Sequence, residues 1–255
     1  MQRPFSDWGG NIAAFLLVVV VNSLSNALPI NGRSMSEISA QYQSLFTPAG
    51  FTFSIWGVIY LSLLVFIVYQ ASPSQRSNQV IARISRLFQL NCGANAAWLL
   101  AWHYDLLNLS LVIMLALLGT LVLIYRVLLA ELKSPSVGQH LALHLPFSLY
   151  TGWITLATIA NISAVQTGNG WDNVGLTAVS WTLLKLAIAG AIGATAVLRF
   201  GDAIFVLVVA WAAYGISAMQ SATPAVSGAA TSLALLSLLL AASEGASRLA
   251  ALKKT

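Results

Sequence analysis

Runs of about 20 apolar residues recur along the chain, at 11–29, 52–70, 87–103, 107–130, 141–164, 175–197, 203–221 and 226–243. Each is bounded by Pro, Gly, Asn, Ser or a charge, the residues that start and stop helices. A helix rises 1.5 Å per residue, so ~20 residues cover the ~30 Å hydrocarbon layer of a bilayer. The runs are too long and too uniformly apolar for the alternating strands of a membrane β-barrel. The pattern predicts an all-α membrane protein with eight transmembrane helices. Between the runs, 31–50 is the longest outer connection and carries Arg33, Glu37, Gln41 and Gln43. Such a loop serves either as a plain connector or as a cap over a cavity. The stretch 72–86 is a Ser/Gln/Arg linker that could continue as a short helix through Ile81, Ile84 and Leu87.

The charges test this segmentation. With eight spans, one side holds Arg3, Arg76, Arg83, Arg86, Arg126, Lys133, Arg199, Arg248, Lys253 and Lys254. The other side keeps Arg33, and Lys185 lies within a span. Basic residues stay cytoplasmic, so both termini face the cytoplasm of what we expect to be a plasma (inner) membrane. A rival for the first run is a cleaved signal peptide ending near Ser25-Asn26-Ala27. Against it stand Asp7 and Trp8 ahead of the run and Asn22 and Asn26 within it, which suit a helix that faces other helices.

Composition agrees with a membrane setting. Of 255 residues, 58% are apolar and 7% charged, and mean hydropathy is +0.81. A soluble surface needs roughly 25% charged residues. The net charge of +5 is scattered singly between apolar runs and makes no nucleic-acid footprint. The lone Cys92 allows neither an intrachain disulfide nor a cysteine-based metal site.

Four features resemble one family. Residues 47–60 read TPAGFTFSIWGVIY, with Pro48, Gly50, Phe53, Trp56 and Tyr60 as the spaced positions. The third run carries Gln89-Leu90 and Asn95-x-x-Trp98, and the fifth carries Trp153-Ile-Thr-Leu-Ala-Thr-Ile-Ala-Asn161, in which Ala157 is a motif position. One helix, a long loop and four more helices complete the set. The chain thereby resembles the TspO/MBR family, the tryptophan-rich sensory proteins that include the translocator protein. The resemblance covers residues 11 to about 165 and implies a five-helix bundle over 1–168, with 169–255 as a three-helix membrane extension. It implies an apolar cavity for a hydrophobic small molecule, a porphyrin or other tetrapyrrole, an isoprenoid or a sterol, often in a homodimer. Its site residues carry over as Phe53, Trp56, Asn95, Trp98, Trp153, Ala157 and Asn161. The chain departs from the family at Pro146, which lies seven rather than four residues before Trp153. It departs again at 111–114, where Leu-Val-Ile-Met replaces an acidic start, and in its three further spans.

Physical chemistry points the same way: aromatic walls with a few placed polar groups suit a rigid apolar ring. The same tryptophans also suit an interfacial belt, and the asparagines suit helix–helix hydrogen bonding. Lys185 is the sharpest anomaly, ~15 Å into its span, where a charge costs ~2.5–3.5 kcal/mol on insertion scales. No acidic residue lies inside any run to pair with it, and Trp181 is one turn away. It docks a ligand carboxylate, forms an imine, or is satisfied by carbonyls or water. His140 and His144, one turn apart, fit either a shared metal or an interfacial pair, and His103 marks the outer end of the third run. Small residues four apart, Ala189 with Gly193 and Ala213 with Ser217, could seal the last helices onto the bundle or make a dimer contact. Hydrolase and phosphate-loop motifs are absent. The expectation is a sensor or ligand handler rather than an enzyme, although porphyrin degradation has been proposed for the family. Its rivals are a secondary transporter using Lys185 and a structural subunit of a membrane complex.

Overall fold

The structure is a computed structural model and describes residues 2–27, 30–132 and 135–252; Lys133, Lys253 and Lys254 lie outside the described residues. All its regular structure is helical: α1 (Phe5–Ala27), α2 (Met35–Gln41), α3 (Ile55–Ala71), α4 (Gln79–His103), α5 (Leu107–Glu131), the single turn α6 (Val137–Gln139), α7 (Leu145–Gly168), α8 (Ala178–Phe200), α9 (Ala203–Met219) and α10 (Pro224–Leu252). Each apolar run has become one long helix. Capping sets several ends. The Asn78 side chain accepts from the amides of Val80 and Ile81 and starts α4 eight residues before its apolar run, while Thr177 accepts from Ser180 N–H to start α8. Gly201, at φ +65°, ends α8 in the left-handed conformation that only glycine adopts cheaply, and Asp202 then caps α9.

Among the described residues, five stretches are long and apolar enough to cross a membrane: Phe5–Ser25, Gly50–Ala71, Leu107–Glu131, Ala178–Phe200 and Pro224–Arg248. The other three helices read from the runs, α4, α7 and α9, do not meet that measure. The apolar α9 is only 17 residues long. The helices α4 and α7 carry polar side chains inside, Asn91 and Asn95 on one and Ser148, Thr151, Thr155, Thr158, Asn161 and Ser163 on the other, all buried. Helices that bury polar groups against neighbours need less apolar surface than helices that face lipid. The faces left outward are apolar, as at Leu16, Leu17, Val58, Leu61, Val65, Val112, Leu115, Leu235 and Leu239. The protein is an integral membrane protein.

The helices form two units by contact. The first comprises Met1–Gln41 and Ser54–Ile154. Within it α4 packs on α1, α2 and α5, and α3 packs on α1 and on the π-helical turn His140–His144. Phe66, Phe88 and Phe147 meet edge to face at 5.0–6.0 Å in its core. The π turn answers the displaced proline: Pro146 has no amide hydrogen for a regular helical bond, and the wider turn just before it, with Leu145 N–H bonded to His140 O, absorbs the break. Asn91 ties α4 to α5 through Leu117 O and Thr120 Oγ1.

A buried polar network holds α1 in this unit. The Arg3 guanidinium pairs with Asp7 at 2.7 Å and donates to Gln70 O and Gln70 Oε1. Asn11 donates to Ser85 Oγ, Ser85 donates to Asp7, and Gln89 donates to Asn11 Oδ1. At the far end of α4, Arg33 pairs with Asp105, and Asn31 donates to His103 O, pinning the first part of the long loop.

The second unit comprises Tyr42–Phe53 and Thr155–Thr255. Here α8, α9 and α10 pack mutually. Small residues set their spacing: a Cβ on Gly193 would stand 3.0 Å from Val209, one on Gly190 would stand 2.9 Å from Leu233, and Ser217 bonds Thr231 at 2.6 Å. The small faces thus serve the three helices among themselves. Phe46 brings the second part of the long loop into this unit by burying among Leu186, Ile216, Val226 and Ala230. Ala49 N–H bonds Gly215 O, and Trp211 Nε1–H bonds Thr52 O at 2.9 Å.

Candidate functional site

The first unit assembles an aromatic group from α3, α4 and α7. Trp56 stacks on Tyr60, one turn on, at 5.5 Å, and meets Tyr150 and Trp153 edge to face at 5.8 and 6.3 Å. Asn95 is the polar hub, donating to Tyr150 OH at 2.6 Å and accepting from Asn22 at 3.0 Å. One α4 turn further, Trp98 stacks on Trp102 at 5.8 Å, both buried, and neither indole N–H has a hydrogen-bond partner among the described residues. A buried donor without an acceptor costs about 1–3 kcal/mol. Sequence reasoning had named Trp56, Asn95, Trp98 and Trp153 from motif positions, and the fold places all four inside one unit. Tyr150 carried no signal beyond a tyrosine three residues before Trp153, and Asn22, read as suiting a helix that faces other helices, joins the group through Asn95.

Phe53, Ala157, Asn161 and Lys185 belong to the second unit. Phe53 is half-buried in the turn Gly50–Ser54, and Ala157 and Asn161 lie one turn apart on α7. This unit holds a cavity of about 510 Å³ into which Lys185 faces. Its Nζ donates to Gln166 Oε1 at 2.6 Å and Ser163 Oγ at 2.7 Å, two α7 side chains three residues apart and so on one helix face. Trp171 and Trp181 form a wall, ring centres 5.0 Å apart, fixed by Trp181 Nε1–H donating to Asn173 O. Gln43, Ser44 and Leu45, from the second part of the long loop, supply another wall. It is held there by Gln220, which donates to Ser44 O and Thr47 O and also lines the cavity. Lys185 was legible as an anomaly; its neutral partners were visible only as a polar pair at the end of the fifth run.

The histidine pair stacks at 5.8 Å on the π turn, and the described residues contain no group of three His, Cys, Asp or Glu able to hold a metal. His103 uses Nδ1 on Leu99 O at the end of α4.

A family model described as "TSPO-like protein" matches residues 8–243, which takes in all the long helices, including the last three. No curated protein and no solved structure matches.

Proposed function

The chain belongs to the TSPO-like protein family, and from that premise we propose that it binds a hydrophobic, ring-bearing small molecule within the first unit, as a sensor or ligand handler. The observation that carries this is the stacked, buried pair Trp98 and Trp102 with two unpartnered indole donors, one turn from Asn95. A flat ligand with a carbonyl or carboxylate rim offers the acceptors those donors lack and the apolar faces that indoles prefer. A porphyrin or other tetrapyrrole has that form, as do oxygenated isoprenoids and sterols. Trp56, Trp153 and Asn95 are the remaining contacts of the proposed site. The proposal takes the chain as eight membrane spans with both termini cytoplasmic, and as a homodimer. It takes 1–168 as the ligand-binding bundle and 169–255 as a three-helix membrane extension.

The test is a titration of the full-length protein with protoporphyrin, read by quenching of tryptophan fluorescence, beside Trp98→Phe and Trp153→Phe. We expect saturation near one ligand per chain and affinity reduced tenfold or more by Trp98→Phe, which keeps an aromatic ring and removes a donor. Unsaturable quenching, or equal affinity in both variants and the parent, would exclude this site for a tetrapyrrole.

A further inference from the structure

We propose that the cavity around Lys185 is a second binding site, taking a small organic carboxylate that carries a planar ring. Three features of the cavity select that class. The first is charge. Among the described residues Lys185 is the only ionisable side chain lining it, and both side chains that the ammonium contacts, Gln166 and Ser163, are neutral acceptors. The nearest acidic residue in sequence, Asp172, directs a carboxylate oxygen to its own loop, accepting from Val174 N–H. A half-buried lysine compensated only by neutral oxygens leaves a net positive site, and an ammonium has a third N–H to give. An anion that enters gains a charge-assisted hydrogen bond, stronger than the neutral ones it joins.

The second feature is shape and wall chemistry. About 510 Å³ lies within the usual range for small-molecule pockets. Trp171 and Trp181 present a paired indole wall, and Trp181 is locked in place by its bond to Asn173 O. Such a wall favours offset stacking with a planar ring over contact with a flexible chain. The third is specificity. Gln166 takes a Lys185 N–H on Oε1 and carries an amide NH2 group that can donate to a carboxylate without adding charge, while the Ser163 and Thr182 hydroxyls donate to Ile159 O and Ala178 O. The site does not depend on the one proposed in the first unit, since it shares no residue with it.

The probe is 2-naphthoate, titrated by calorimetry into the full-length protein in lipid nanodiscs, with uncharged 2-naphthamide and ring-free decanoate as comparisons. Naphthoate should saturate near one per chain, with the amide at least tenfold weaker. Lys185→Met should weaken naphthoate tenfold or more and leave the amide unchanged, while Lys185→Arg keeps the preference. Trp171→Ala, in an exposed loop where folding is least at risk, should weaken naphthoate and not decanoate. Trp98→Phe, which weakens the site of the first unit, should leave the Lys185-dependent preference for acid over amide in place, which separates this site from the other. Equal affinity for acid and amide, or an unaffected Lys185→Met, overturns the proposal. Decanoate binding as tightly as naphthoate overturns it too, in favour of a membrane-derived fatty acid.

Discussion

Two single residues test how tightly each unit is built. Gly215 on α9 faces Thr52: a Cβ there would stand 2.0 Å from Thr52 Oγ1 and 3.0 Å from Thr52 Cβ, and Thr52 is fully buried. Gly215→Ala should therefore cost about 1–3 kcal/mol, the range for overpacking a filled core. Thermal unfolding in detergent reads this as a lowered midpoint. Adding Thr52→Ala should recover part of the loss, because the two side chains share one space and their effects do not add. If the single variant unfolds like the parent, the loop from Tyr42 to Phe53 does not lie on α9 as described. In the first unit, buried Arg3 pairs with the partly buried Asp7, and Arg3→Met leaves that carboxylate without its cation. Breaking a buried pair from one side costs about 3–5 kcal/mol, so this variant should lower the midpoint far more than Arg83→Met, whose partner Glu131 lies at the surface. Neither Gly215 nor Arg3 was legible as critical in the sequence. A glycine in an apolar run and an arginine near the N-terminus acquire meaning only from residues far away in the chain.

At the scale of elements, legibility followed range. The eight apolar runs each became a helix of 17 residues or more, because apolar periodicity and capping residues act locally. The start of α4 at Gln79 lies ahead of the apolar run, in the stretch read as a linker that could continue as a short helix through Ile81, Ile84 and Leu87, and it is set by Asn78, a cap that hydropathy ignores. The placement of Phe46 among α8, α9 and α10 was not legible at all, since it depends on contacts 140 or more residues away in sequence. The short α2 shows local chemistry at its clearest. Glu37 accepts from Ser34 N–H at 2.6 Å and from Ser34 Oγ at 2.8 Å, a capping arrangement at the start of the helix. Those bonds, the backbone one first, hold the Glu37 carboxyl below its ordinary value of 4.5 despite slight desolvation, with Arg33 adding to the effect. A carboxyl whose folded value is depressed stabilises the element above its unfolded pKa and loses that contribution as pH falls through the folded value. The Glu37 carboxyl resonance should accordingly titrate below 4.5, with Ser34 amide exchange accelerating over the same fall in pH. Titration at or above 4.5 would mean the cap is not formed.

For the whole molecule the open question is how many helices cross the bilayer, because five qualify by length and composition while the charges fit eight. Among described residues, the basic side chains Arg76, Arg83, Arg86, Arg126, Arg199 and Arg248 all fall at one set of helix ends, and Arg33 stands at the other. That asymmetry survives only if α4, α7 and α9 also cross, since removing one of them reverses every later end. A burial argument explains how α4 and α7 could cross while looking polar: Asn91, Asn95, Thr155 and Asn161 are buried, so lipid does not meet them. Single cysteines decide it. With Cys92 changed to Ser, Ser74→Cys and Val137→Cys should resist a membrane-impermeant maleimide in intact cells, while Tyr104→Cys, Val174→Cys and Ala222→Cys react; all five positions are exposed. Tyr104 is the informative member, because it shares a side with Ser74 unless α4 spans the membrane. Equal protection at 74 and 104 would remove α4 from the spans. With 74 and 137 protected and 104 and 174 both reactive, α4 crosses once and α5 and α7 make the return and the second crossing. The Lys185 cavity, which Trp171 and Asn173 border, would then open toward the outer side, where a soluble carboxylate can reach it without first crossing the membrane.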